Sequence, residues 1–183
     1  MPEPDLAGKR VIMVIAPDRF RDEEYREPRA VIEESGGRVT VASAGLVRAR
    51  GMLGMEVDPD LTLDQARAED FDAVVFVGGS GASRYWDDPV AHSLARDALA
   101  RGKVVGAICI APVTLARAGL LKGRRATCWP SERERLEAGG AVYTGNPVEV
   151  DGQIVTGSGP QAARAFGEAL VRALAARGAP ARP

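Results

Sequence analysis

Short apolar runs alternate with helical stretches along this chain. Four runs are almost entirely apolar, and runs of this length are typical of strands buried on both faces of a sheet. They lie at residues 11–15, 39–42, 73–77 and 103–108. Four other stretches are predicted helices, three of them closed by a glycine. They lie at residues 21–35, 90–100, 112–118 and 161–176.

Two smaller elements are predicted after the third of these helices. Residues 126–129 have the composition of a short strand, and residues 131–138 that of a short helix. Ser131 is its predicted N-cap, and Glu134 stands three residues later, where it completes a capping box.

Turn residues define the remaining segments. The Asp-Gly pair at 151–152 predicts the turn of a hairpin over residues 148–155. The glycine-broken segment 46–59 predicts an exposed hairpin, and residues 177–183 have the composition of a frayed end.

The order of the elements predicts the architecture. Repeated β-α-β order with apolar strands indicates an α/β fold, a mostly parallel sheet with helices on both faces. Such sheets bind ligands at the carboxyl ends of their strands. Three segments fall at that edge, namely residues 18–24, residues 78–81 and Cys109. We therefore expect one domain over residues 1–183, with an ordered core over about 9–176 and its functional site at this edge.

Composition and charge narrow the possible partners. Hydrophobic residues make up 45% and charged residues 27% of the chain, as in soluble globular proteins. With 24 basic and 25 acidic residues the net charge is −1, so no nucleic-acid partner is expected. Every apolar run is shorter than the roughly 18 residues that a membrane span needs. No apolar run precedes the first strand, which argues against a secretory signal.

The few cysteine and histidine residues limit the possible chemistry. The chain has one histidine, His92, and two cysteines, Cys109 and Cys128, too few for a four-ligand zinc site. Two cysteines without an export signal indicate free thiols and a cytoplasmic location. The glycine-rich residues 78–81 lack the Lys-Ser/Thr pair of a phosphate-binding loop. No metal or cofactor is therefore expected.

Cys109 stands where a buried strand passes directly into a helix. This is the arrangement of a nucleophile elbow, in which a strained turn holds the reactive atom above the sheet. Unpaired N–H groups and the dipole at a helix start favour a thiolate. The N–H groups of Ile110 and Gly79 are candidate oxyanion donors. The alternative is an ordinary buried cysteine at a strand end.

Three motifs together resemble the ThiJ/PfpI superfamily. They are Ala-Ile-Cys-Ile-Ala-Pro at 107–112, Gly-Gly at 78–79 after a buried strand, and Asp-Glu-Glu-Tyr-Arg-Glu-Pro at 22–28. The resemblance covers about residues 9–176, with the motifs in order. It implies a flavodoxin-like three-layer sandwich, a homodimer or higher homo-oligomer, and a small-molecule substrate.

The resemblance also implies a catalytic pair. In the family a reactive cysteine is hydrogen-bonded to an acid from the first helix, and aligning Pro28 and Gly36 places that acid at Glu24. A protonated Glu24 would donate a hydrogen bond to the Cys109 thiolate. The alternative for Glu24 is an ordinary carboxylate in the first turn of a helix.

The chain departs from the family pattern at two positions. PfpI-type peptidases place a histidine directly after the cysteine, where this chain has Ile110. Deglycase-type members place a histidine on the strand matched by residues 126–129, where Trp129 stands here. His92 lies in the middle of a predicted helix and is expected at the surface. A peptidase, which usually relies on a Cys–His couple, is therefore the least favoured activity.

Aromatic residues near these motifs are candidate pocket residues. Trp129 is expected either to narrow the pocket or to pack in the core. Tyr85 and Trp86 are expected to line the mouth of the pocket or to form a dimer contact, with packing in the core as the alternative. Strand alternation points Cys128 away from Trp129. A Cys109–Cys128 redox pair is a minor alternative.

Three functions remain open from the sequence. The first is a cysteine-dependent enzyme acting on small electrophilic carbonyl compounds, of the glyoxalase or deglycase type or a related hydrolase or lyase. The second is a redox sensor or protective stress-response protein, in which Cys109 oxidises to sulfenic and sulfinic acid. The third and least favoured is an intracellular cysteine peptidase. A scaffold in which the cysteine has lost its role is the remaining alternative.

Overall fold

A computed structural model describes residues 3–177. Within them the chain forms twelve strands and five α-helices, joined by turns and short 3₁₀ segments. The strands are β1 Arg10–Val14, β2 Asp18–Phe20, β3 Arg38–Ser43, β4 Ala49–Gly51, β5 Glu56–Val57, β6 Leu61–Thr62, β7 Ala73–Phe76, β8 Val104–Ile108, β9 Arg125–Ala126, β10 Val142–Tyr143, β11 Val148–Asp151 and β12 Ile154–Gly157. The helices are α1 Asp22–Glu34, α2 Pro89–Ala100, α3 Pro112–Arg117, α4 Arg133–Ala138 and α5 Ala163–Arg177.

The central sheet has seven strands in the order β11-β12-β8-β7-β1-β3-β6. All its pairs are parallel except β11 with β12, which form the hairpin predicted from the Asp-Gly turn. The predicted α/β class, a mostly parallel sheet between helices, is confirmed. Parallel order brings the carboxyl ends of β1, β7 and β8 to one edge, which is where the candidate site lies.

Strand alternation divides the core between the two faces of the sheet. In β1, Val11 and Met13 pack in one apolar cluster, while Ile12 and Val14 pack in the other. Helices α1 and α5 cover the first face, with Ile32 and Phe166 fully buried there. Helices α2, α3 and α4 cover the second. Apolar residues on both faces explain why the central strands are continuous apolar runs.

Several predicted boundaries were wrong in detail. The strand expected over 126–129 is confined to β9, and a 3₁₀ turn, Pro130–Glu132, precedes α4. The predicted capping box is absent, since α4 begins after Glu132 and has no side-chain cap. The Ser131 hydroxyl instead donates to the Glu132 carboxylate. The predicted tail lies outside the described residues except Arg177, which ends α5.

The exposed hairpin expected over 46–59 is confirmed. Strands β4 and β5 pair antiparallel, and β2 adds to β4 on the other side. Asp22, at the start of α1, accepts hydrogen bonds from the N–H groups of Leu53 (3.1 Å) and Met55 (3.0 Å). This buried carboxylate fastens the hairpin beside the carboxyl edge of the main sheet.

None of the helices within residues 3–177 is both long enough and apolar enough to cross a bilayer.

Candidate active site

Cys109 occupies a strained turn between β8 and α3. Its φ is +66°, and among the described non-glycine residues only Arg19 shares a positive φ. L-residues other than glycine adopt this region at a cost, and such strain is typical of functional turns. The Cys109 N–H donates to Gly157 on β12 at 2.9 Å, which fixes the turn to the sheet. This is the geometry of the nucleophile elbow expected from the sequence.

Glu24 approaches Cys109 from the first turn of α1. Its side chain is completely buried. A β-carbon built on Gly78 would lie 2.4 Å from Glu24 Oε1 and 2.6 Å from Cys109 Cβ. The structure therefore brings Glu24 and Cys109, the predicted acid and nucleophile, together beside Gly78. Only a glycine at position 78 leaves room for both side chains.

Burial dominates the electrostatics of this pair. It raises the pKa of Glu24 to about 8, although Cys109 and Arg21 favour the carboxylate. Neither Glu24 oxygen has a well-aligned hydrogen-bond partner in the described part of the chain. Burial also raises the pKa of the Cys109 thiol, and the adjacent Glu24 raises it further. Burial therefore favours the uncharged form of both side chains.

The burial of Cys109 opposes the thiolate that the sequence predicts. The sequence argument considered only the backbone N–H groups beside the turn. The N–H groups of Gly79 and Ile110 do lower the pKa of the thiol, but burial and Glu24 outweigh them. The same two N–H groups were predicted as oxyanion donors, and the structure places both beside the sulfur.

The glycine loop, residues 78–81 after β7, packs tightly against the segment before α1. Gly79 has φ +100°, and a β-carbon there would lie 2.3 Å from the Arg21 nitrogen. The Arg21 N–H donates to the Gly78 carbonyl at 2.9 Å. These contacts bring Glu24 and the β7 loop together at the carboxyl edge.

A cavity of about 450 Å³ opens over Cys109. Its wall combines apolar and polar side chains from the glycine loop, the elbow, the hairpin and the segment before α4. The lining residues are Arg21, Met52, Gly79, Ser80, Ser83, Trp86, Cys109, Ile110, Trp129, Ser131, Glu132 and Pro160. Cys109 is 8% exposed, whereas Cys128 is fully buried.

Both predicted tryptophans line this cavity, and both are hydrogen-bonded to the elbow. The Trp86 indole N–H donates to the Ile110 carbonyl at 3.0 Å. The Trp129 backbone N–H donates to the Cys109 carbonyl at 2.8 Å. Trp129 is 45% exposed, so the alternative of a core aromatic is wrong for this residue.

Tyr85 is not among the cavity residues, so its prediction as a pocket residue is wrong and the alternative of core packing is confirmed. It is 2% exposed, and its hydroxyl donates to the Ile15 carbonyl at 2.8 Å, as expected for a buried tyrosine. His92 is half-buried rather than at the surface. Its Nε2 is 2.7 Å from the Trp86 carbonyl oxygen, and it is not among the cavity residues.

The two cysteines pack in different apolar clusters. Cys109 belongs to the cluster of α1 and α5, and Cys128 to the cluster of α2, α3 and α4. Both thiols are free. Cys128 is buried while Trp129 is exposed at the cavity, so the two residues are placed apart as predicted, although both lie outside β9 and strand alternation is not the cause. The Cys109–Cys128 redox pair gains no support.

The structure adds two ion pairs that the sequence did not reveal as site features. Arg21 contacts Glu23 at 3.0 Å beside the cavity, and this hydrogen bond raises the pKa of Arg21. Arg135 contacts the buried Glu132 at 2.8 Å and lies 5.0 Å over the Trp86 ring. Arginines and glutamates occur throughout this sequence, so only tertiary contacts single these out.

The described residues contain no group of three or more histidine, cysteine, aspartate or glutamate side chains that could hold a metal ion. The chemistry that these side chains can perform is addition of a thiol to an electrophile, with a carboxyl group to carry protons.

The fold and site define a class of α/β protein with a cysteine at a nucleophile elbow and a buried acid beside it. The model of the DJ-1/PfpI family matches residues 9–173. The chain belongs to this family, as the sequence resemblance indicated.

Named relatives match most of the chain. The deglycase PH1704 of Pyrococcus horikoshii is 33% identical over 149 residues, covering 81% of this chain and 90% of the relative. The glutathione-independent glyoxalase DJR-1.2 of Caenorhabditis elegans is 26% identical over 168 residues, covering 92% and 90%.

Solved structures share the fold. The crystal structure of a ThiJ/PfpI domain protein from Brachyspira murdochii superposes with a TM-score of 0.89 at 34% identity. The match covers 91% of this chain and 96% of that one. The flavodoxin-like sandwich is therefore the fold of this chain.

Proposed function

We propose that this protein converts 2-oxoaldehydes into 2-hydroxy acids, with Cys109 as the nucleophile and Glu24 as the proton carrier. The observation that carries the proposal is the convergence of the buried Glu24 carboxyl and the strained Cys109 at Gly78, below an open cavity. Two relatives, a deglycase and a glyoxalase, support the same carbonyl chemistry.

The first step is addition of sulfur to the aldehyde carbon. Glu24, once ionised, accepts the thiol proton as the sulfur–carbon bond forms, and returns it to the carbonyl oxygen. The N–H groups of Gly79 and Ile110 stabilise the developing oxyanion. The product of this step is a hemithioacetal on Cys109.

The remaining steps need no added oxidant. Glu24 removes the proton from the former aldehyde carbon and delivers one to the neighbouring ketone carbon, through an enediol. The aldehyde carbon is thereby oxidised to a thioester, and the ketone carbon is reduced to an alcohol. Water then hydrolyses the thioester, releasing the 2-hydroxy acid and the thiol.

This chemistry fits the residues that replace the family histidines. Ile110 and Trp129 cannot exchange protons, and His92 is absent from the cavity lining. Glu24 can carry the protons of every step, whereas a peptidase would also have to protonate an amine leaving group. The residues therefore favour carbonyl chemistry over peptide hydrolysis.

The test is turnover of methylglyoxal, followed by formation of lactate. We expect wild-type protein to turn over, and Cys109→Ala and Glu24→Gln each to lower kcat by at least about 100-fold. The exposed Glu134→Gln is the matched control and should retain wild-type activity. Absence of lactate with wild-type protein would refute the proposal.

The redox-sensor alternative requires Cys109 to be present as a thiolate. Sulfenic acid forms from the thiolate, and burial raises the pKa of this thiol. Mass spectrometry after mild peroxide should therefore find little oxidation at Cys109. Rapid, selective oxidation of Cys109 would favour the sensor over the enzyme.

We further propose a homodimer or higher homo-oligomer in the cytoplasm, as the family resemblance implies. Sedimentation velocity of the purified chain tests the oligomeric state. A single species of 19.3 kDa would contradict it.

A further inference from the structure

Both tryptophans of the chain are fixed to the turn that carries the nucleophile. Trp86 binds the Ile110 carbonyl through its indole N–H, and Trp129 binds the Cys109 carbonyl through its backbone N–H. The positions of both residues relative to the reactive sulfur are therefore set by the elbow itself.

Each ring is also supported from behind. Arg135 lies over the Trp86 ring, and the Trp86 carbonyl oxygen contacts His92. The Trp129 ring lies against Gly159, where an added β-carbon would be 2.7 Å from its Cε3. Both tryptophans nevertheless line the cavity. A ligand bound above Cys109 would therefore contact two aromatic side chains that these interactions hold in place.

The space available is large for a three-carbon substrate. The cavity of about 450 Å³ is within the range of pockets that enclose drug-sized ligands. A second cavity of about 490 Å³ shares Arg21, Trp129 and Pro160 with the first, so the two cavities adjoin at Trp129. A methyl substituent would leave most of this space filled with water.

We propose that the preferred substrates are 2-oxoaldehydes with an aromatic substituent, whose ring packs against Trp86 and Trp129 while the aldehyde carbon reaches Cys109. This inference rests on the proposed function and names its substrate class. Burying an aromatic group against aromatic walls is favourable through apolar area and ring–ring contact. The 2-hydroxy acid product carries a carboxylate, and Arg21, which is paired with Glu23, lies at the cavity wall.

The reaction is the one written above, with phenylglyoxal giving mandelate. Sulfur adds to the aldehyde carbon, the proton shift oxidises that carbon and reduces the ketone carbon, and water releases the acid. The aryl group takes no part in bond making, and the tryptophan variants below separate its contribution to binding from its electronic effect on the carbonyl groups.

The test compares phenylglyoxal with methylglyoxal as substrates. We expect wild-type kcat/KM to favour phenylglyoxal by at least about 10-fold, which is the effect of roughly 1.4 kcal/mol of extra binding. Trp129→Ala and Trp86→Ala should each lower this ratio several-fold, and Trp129→Phe should retain most of it. Gly159→Ala, which displaces the Trp129 ring without removing it, should also lower the ratio. Tyr143→Ala, an aromatic deletion outside the cavity, is the matched control.

A binding measurement separates this inference from the proposed function. Cys109→Ser protein is titrated with mandelate and with lactate, and indole fluorescence and heat are recorded. Tighter binding of mandelate, lost in the double variant with Trp129→Ala, supports the aromatic site even if no variant shows turnover. Methylglyoxal turnover with no preference for phenylglyoxal, and equal affinity for mandelate and lactate, would overturn the inference and leave the proposed function standing.

Discussion

The Glu24 carboxyl and the Cys109 side chain meet above Gly78 with no room for a β-carbon between them. Glu24 comes from α1 and Cys109 from the end of β8, so the contact depends on the packing of α1 against the β7 loop. The buried acid and the thiol thus form one titrating unit. Burial shifts the pKa of both side chains in this unit away from the ordinary value of either residue type.

Gly78→Ala should disable this unit without removing either functional group. The added methyl would lie 2.4 Å from Glu24 Oε1 and 2.6 Å from both Cys109 Cβ and the Ile108 carbonyl oxygen. Relief of these clashes must move the pair, so we expect at least a 100-fold loss of kcat and about 1–3 kcal/mol of destabilisation. Gly45→Ala, with nothing within 4 Å of its β-carbon and an unrestricted φ, is the control. Equal activity of both variants would contradict the proposed geometry.

The rate of turnover should rise with pH through about 8. The fully protonated pair lacks a base, and burial raises the Glu24 pKa to about 8, so the carboxylate that accepts the thiol proton becomes populated only near that pH. The measurement is kcat/KM for the oxoaldehyde between pH 5 and 9.5, with Glu24→Gln as comparison. A profile already flat from pH 5 upward would show that the acid is ionised much earlier than its burial requires.

Stability should change with pH in the opposite direction. The carboxyl of Glu24 ionises at about 4.5 when unfolded and at about 8 when folded, so between these values the unfolded state binds fewer protons. The free energy of unfolding therefore falls as pH rises from about 4.5 to 8, by at most roughly 5 kcal/mol. Urea denaturation of Glu24→Gln should lack this decline. A wild-type curve parallel to that of Glu24→Gln would contradict the raised pKa.

The sequence identified the elbow and the edge of the sheet because both depend on local pattern and order. A buried strand that ends at Cys109 and passes into Pro112 without a turn residue predicts an elbow, with an ordinary buried cysteine as the alternative. The position of Glu24 came from the family resemblance, by aligning Pro28 and Gly36. These features could therefore be predicted before any tertiary contact was known.

The electrostatics of the pair and the roles of nearby side chains could not be predicted in this way. The thiol pKa depends on how much solvent the surrounding elements exclude, which no local spacing reveals. Tyr85 and Trp86 are adjacent in sequence, yet one is buried against Ile15 and the other lines the cavity. Only the path of the 3₁₀ segment Ser80–Tyr85 decides between them.

The two thiols should differ in accessibility rather than in activation. Cys109 borders the cavity, whereas Cys128 is fully buried, and burial raises the pKa of Cys128 to about 12. Iodoacetamide at pH 7.5 should modify Cys109 more slowly than a free peptide thiol, and Cys128 only after unfolding. Mass spectrometry of wild type and Cys109→Ser identifies each site. Modification of Cys128 in the folded Cys109→Ser protein would contradict its burial.

Asp22 should control the hairpin that carries Met52 into the cavity wall. Its two carboxylate oxygens accept the N–H groups of Leu53 and Met55, and an asparagine can accept only one of these while its amide group opposes the other. We expect Asp22→Asn to lower the free energy of unfolding by about 1–3 kcal/mol and to speed amide exchange at Leu53 or Met55.

The control for this prediction is Asp58→Asn in the same hairpin. Asp58 is exposed and pairs with Arg48 at 2.8 Å, so its loss should change the free energy of unfolding far less than Asp22→Asn does. Because Met52 lines the cavity, Asp22→Asn should also raise KM for the oxoaldehyde more than it lowers kcat. Equal effects of the two variants on exchange and on KM would mean that the hairpin is held by its strand pairing with β2 alone.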